Sequence, residues 1–177
     1  MKTTSLITGL LFVFGLQMAT AQETTMRYSI PAAGTAVPAA GNSNQLRGNV
    51  EYDDTTMVVE SFSFDVPLFT FMSEFGSYNY IAAVGAASTF PYMSFKSTNI
   101  DQSGEDLLIK GSLYLRGQYQ PLTITAKQVE DKKIFYLDGN FTVHIRDYFM
   151  FSGGRSIPPY MNIDFRMVFD KEVKKEG

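Results

Sequence analysis

His144 is the one histidine of the chain, and there is no cysteine. A lone imidazole acts as a general base only where a cleft brings it to a partner, and it cannot build a multi-histidine metal site. Its parity places it opposite Phe141, Val143 and Ile145, on the outer face of a strand. Asp53-Asp54 and Glu105-Asp106 are the carboxylate pairs. Glycoside hydrolysis needs two carboxyls set across a cleft, whereas adjacent acids at polar turns bond their own backbone. GxSxG, HExxH and phosphate-cradling glycine loops are absent. Missing cysteine also removes thiol nucleophiles, zinc–thiolate sites and a lipobox anchor. Asn140-Phe141-Thr142 spells a glycosylation sequon, but Phe141 is expected to point inward from a strand. No catalytic residue, metal or cofactor is expected, and the chain does not read as an enzyme.

What remains is apolar and periodic. In LIKGSLYLRGQYQPLTITA and the residues before it, Leu107, Ile109, Leu113 and Leu115 share one face. Leu108, Lys110, Ser112, Tyr114 and Arg116 share the other, which is the period-two signature of a half-buried strand. The same alternation runs through Phe62, Phe64 and Val66, through Phe141, Val143 and Ile145, and through Met161 to Phe169. Asp53 to Thr55, Asp101 to Gly104, Gly117 to Gln120 and Glu130 to Lys133 read as turns. YNYIAAVGAAS reads as one short helix ended by Phe90-Pro91. Residues 31–45, rich in proline, alanine and glycine, read as a long loop after a short strand at Met26 to Ile30. Strands joined by short turns pair antiparallel. The expected fold is all-β, an antiparallel sheet of about eight strands with one short helix, stacked as a sandwich or closed as a barrel.

The start of the chain resembles an export signal. Lys2 precedes an apolar run from Leu6 to Leu16, and Ala19-Thr20-Ala21 has the small-x-small pattern of a cleavage site. Cleavage after Ala21 leaves 156 residues, one domain with a sizeable core. The run is shorter than the roughly 20 residues a membrane-spanning helix needs, so no stable membrane insertion is expected. The mature chain has 14 basic against 18 acidic residues, without the basic cluster that nucleic acid demands. The expected organisation is a signal peptide over 1–21, a strand and loop over 22–45, a barrel domain over 46–170 and a charged tail over 171–177.

FPYMSFKSTNID, GSLYLRGQYQPLTITA and YLDGNFTVHIRDYFMF together resemble the YceI-like family of exported bacterial proteins, with Pro91, Gly111, Gly117 and Pro121 at the family's spacing. The resemblance runs from about Leu46 to Phe169 and departs from the family where Asp147-Tyr148-Phe149 lacks a following glycine. It implies a lipocalin-like β-barrel in the periplasm or secreted, holding a polyisoprenoid or other amphiphilic lipid. The lining would be Phe62, Phe64, Phe95, Leu107, Ile109, Leu113, Leu115, Phe141, Val143, Ile145, Ile163, Phe165 and Met167 around an open channel. Arg146 and Arg155, flanking FSGG, would meet a headgroup. From the residues alone, the same apolar stripes describe a filled core more readily than a ligand cavity. The protein would then be an adhesion or glycan- or protein-binding module using Tyr78, Tyr80, Tyr114, Tyr119 and Tyr160. The chain ends and residues 31–45 are also available to a homodimer contact.

Overall fold

The computed structural model describes residues 16–31, 39–74, 79–131, 133–148 and 159–170. Within them lie ten strands: β1 (Leu16–Ile30), β2 (Ala39–Ser43), β3 (Arg47–Asp53), β4 (Val59–Pro67), β5 (Met72–Ser73), β6 (Tyr92–Ser103), β7 (Asp106–Leu115), β8 (Gln118–Glu130), β9 (Ile134–His144) and β10 (Tyr160–Asp170). The one α-helix among the described residues, α1, spans Tyr80–Val84. Every strand pairing is antiparallel, and the order β10-β9-β8-β7-β6-β4-β3 returns to β10 through β1. Leu16–Thr20 pair with Asn49–Asp53 of β3, while Ala21–Ser29 run along β10. The sheet therefore closes into a barrel. The last residues of β1 also pair with β2, which carries β5.

Several expectations change. The sheet has ten strands rather than about eight, the surplus being β2 and β5, which lie off the closed circuit. β2 occupies part of the segment read as a loop. Its small residues suit a strand laid over an aromatic ring, because a Cβ at Gly41 would meet the Tyr28 ring at 2.7 Å. β1 begins at Leu16 rather than Met26, upstream of the expected Ala21–Gln22 cleavage bond, and belongs to the same sheet as the strands after Leu46. The rest of the expected signal (1–15), residues 32–38 and the tail (171–177) lie outside the described residues.

The turns follow local chemistry. Asp53 accepts the Thr55 and Thr56 N–H groups at 2.9 and 2.7 Å, as a turn acid does. β7 and β8 meet at a two-residue turn, Arg116-Gly117, with φ of 52° and 77°, tighter than the expected turn at Gly117–Gln120. Two left-handed residues match the twist of a hairpin. Asn79 caps α1 by accepting the Ala82 N–H at 3.0 Å, and its amide donates to the Leu68 and Phe71 carbonyls.

Candidate functional site: the barrel interior

All thirteen expected lining residues are buried, each at most 5% exposed, and belong to one apolar cluster. Alternation explains this: on β7, residues 107, 109, 113 and 115 are buried while 108 and 110 are exposed. β1, β3 and β8 add the inward Met26, Tyr52 and Ile124, which the expected lining omits, and Met93, Phe135 and Met161 extend it along β6, β9 and β10. Gln128 and Ser43 are the buried polar residues among those described.

The lining does not enclose an open channel at its waist. Phe62 stacks on Phe165 at 5.8 Å, and Phe64 on Phe95 at 5.6 Å. Phe64 of β4 and Phe141 of β9 stand four strands apart either way round the barrel, yet their rings are 6.0 Å apart. Phe165 completes the group, 6.1 Å from Phe64 and 6.4 Å from Phe141. Five rings thus bridge the lumen, which corrects the expectation of free space along these residues. Glycines at inward positions make room for two of these rings and for Met167. A Cβ on Gly139 would overlap the Phe165 ring, one on Gly111 the Phe95 ring, and one on Gly48 the Met167 thioether. A glycine inside a strand marks where something approaches the backbone closely; this was the available signal for the ring cluster.

Both ends are covered. At one, Gln128 donates to the Met57 carbonyl at 3.2 Å and accepts from Gln102 at 3.4 Å, while Gln102 accepts the Val59 N–H at 2.8 Å. Phe135 lies there between Tyr52 and Phe169, at 5.1 and 5.0 Å. At the other, the α1 segment lies over Leu115 and Leu68, both in reach of a Cβ at Gly85.

Tyr28 is fully buried beside Phe71, ring centroids 5.6 Å apart. Its hydroxyl lies near the backbone of Tyr80 and Ile81 but makes no hydrogen bond of good geometry. Burial raises its pKa above the phenol value of 10.0, partly opposed by those backbone groups, and burial raises Tyr148 likewise. Folding thus favours neutral phenols, so their contribution is intact below pH 10.0 and is lost as pH rises toward the folded values. Tyr28→Phe is expected to melt no lower than wild type at neutral pH, because an unsatisfied buried hydroxyl costs about 1–3 kcal/mol. It should also lose less stability between about pH 9 and about pH 11, which melts across that range would read.

The candidate headgroup and catalytic residues are not assembled. Arg146 is exposed in a 3-10 turn after β9, and Arg155 lies outside the described residues. Arg116 donates to the Val84 carbonyl at 3.0 Å, and Lys96 projects from the outer face of β6. His144 is exposed, edge-on to Tyr160 at 4.8 Å. Asp106 lies 3.7 Å from Lys127 at the surface. No group of three or more acids or histidines is placed to hold a metal among the described residues. No described helix is long and apolar enough to cross a membrane.

A closed antiparallel barrel with one short helix and an apolar interior defines a class of β-barrel proteins, and the sequence places the chain within it. The YceI-like domain profile matches residues 18–169; the chain belongs to the YceI-like family. The fold is similar to that of Burkholderia cenocepacia BcnA, with a TM-score of 0.65, 17% identity, and 82% of this chain and 95% of the other covered. It is also similar to the Campylobacter jejuni YceI protein, with a TM-score of 0.64, 14% identity, and coverage of 98% and 100%. No curated protein sequence matches the chain.

Proposed function

We propose that the protein is an exported, non-enzymatic carrier that takes a polyisoprenoid or similar long apolar chain into its barrel. The observation that carries this reading is the glycine beneath Phe165, Phe95 and Met167. If Phe165, Phe95 and Met167 swing off Gly139, Gly111 and Gly48, each vacated position becomes a trough floored by backbone. Ring contacts are worth about 0.5–1.5 kcal/mol each. A hydrocarbon chain burying about ten methylenes gains ~8 kcal/mol before ordering costs. The ligand's gain is thus of the same order as the ring contacts it displaces. Thioethers help: Met26, Met93, Met161 and Met167 are fully buried, and methionine adapts to irregular apolar shapes. The natural gate is the α1 end, where a five-residue helix rather than a strand ladder forms the cover. Export accords with the family; because Leu16–Thr20 pair with β3, a cleavage that keeps the closed barrel falls ahead of Leu16 rather than after Ala21.

The test is organic extraction of the exported protein followed by mass spectrometry, with uptake of a fluorescent polyene as a second readout. A stoichiometric long-chain lipid is the expected result. Absence of both lipid and polyene uptake would overturn the carrier and leave a filled scaffold that binds through its exterior. The ring contacts across the lumen favour that second reading.

A further inference from the structure

Among the described residues, a pair of depressions on the barrel's outer face differ in how their charges are used. One, of about 480 Å³, lies across β1, β10, β9 and β8. Its cations are engaged: Arg27 with Glu74 at 2.9 Å, Arg166 with Asp138 at 2.6 Å and Lys127 with Asp106 at 3.7 Å. The other, of about 770 Å³, lies across β3, β4, β6, β7 and β8. There the register lines up one outward residue from each strand, Arg47–Asp65–Ser94–Tyr114–Tyr119, each the direct partner of the next. Lys96 stands in the adjoining row, opposite Ser63 and Ser112. Among the described residues neither Arg47 nor Lys96 is in an ion pair.

The geometry points to a binding site for an acidic oligosaccharide in this second trough. Pyranose rings present C–H faces to aromatics and hydroxyls to polar side chains, and the trough offers both in sequence. Tyr114 and Tyr119 form a platform, ring centroids 4.9 Å apart and tilted by 49°, with Tyr119 72% exposed. Tyr92, 43% exposed, adds an aromatic wall. Ser94 and Ser112 keep the floor low between them, so a flat ring can reach the aromatic faces. Tyrosine suits such a surface, presenting an apolar ring with a wet polar tip. Two cations against Asp65 leave the trough net positive, which selects a carboxylate-bearing sugar over a neutral one. The site lies on the face opposite the apolar interior and does not depend on a lipid there.

Titration calorimetry with tetragalacturonate, and with cellotetraose as neutral counterpart, tests this. Tetragalacturonate should bind wild type, and Tyr119→Ala should weaken it about tenfold with an unchanged melting temperature, the ring being exposed. Lys96→Gln should abolish the preference for the acidic sugar while keeping weak binding of both. No heat with tetragalacturonate, or binding indifferent to Tyr119→Ala, overturns the site. Equal affinity for both sugars in wild type overturns its acidic specificity.

Discussion

Phe165→Ala is expected to lose about 3–5 kcal/mol of stability and to take up a long-chain lipid more readily than wild type. The first effect follows from burial: the ring is 5% exposed and meets Phe62, Phe64 and Phe141. Its removal leaves a void that surrounding strands, fixed by their ladders, fill only in part. The second effect belongs to the carrier reading alone. Truncation bares the trough over Gly139, so the ligand no longer has to displace a ring. Denaturant melts measure the first and polyene titration the second. A variant that is destabilised but gains no uptake would mark Phe165 as simple core. Phe165→Leu, which retains most of the apolar volume, provides a folded comparison if the alanine variant fails to fold.

Leu113→Arg is expected to unfold the barrel or cost several kcal/mol, while Leu108→Arg on the same strand stays near wild type. Leu113 is fully buried and faces Phe95 across the β6–β7 ladder; Leu108 is 40% exposed. A guanidinium at position 113 would sit among apolar side chains without a carboxylate to meet it, and uncompensated buried charge is among the most destabilising changes known. Thermal melts of both variants measure the contrast. Similar losses at the two positions would show that the assigned inner and outer faces of β7 are wrong.

The strands were legible because their chemistry is local. Leu107 to Leu115, Phe62 to Val66 and Met161 to Phe169 each declare two faces by alternation, and the structure places those faces as read. β2 was missed because its residues answer to a neighbour: Ala39, Ala40 and Gly41 resemble a loop until Ile30, Ser29 and Tyr28 of β1 pair with them. The ring plug was missed for a similar reason. Parity shows that Phe64 and Phe141 both point inward, but their meeting depends on the barrel's width, which no single strand encodes. Arg146 was placed near a turn correctly, yet turn position alone does not bring a cation to a rim. The row Arg47–Asp65–Ser94–Tyr114–Tyr119 across five strands was also hidden, since it exists only once the register is fixed.

Closure by β1 and β10, with Ala21 beside Phe169, makes the ladder between them the most sequence-distant pairing in the barrel. Loop-closure entropy and high contact order both slow such a step. Assembly therefore finishes only after the last strand has been made, and a chain cut short before Tyr160 keeps raw edges on β1 and β9 that invite intermolecular β-stacking.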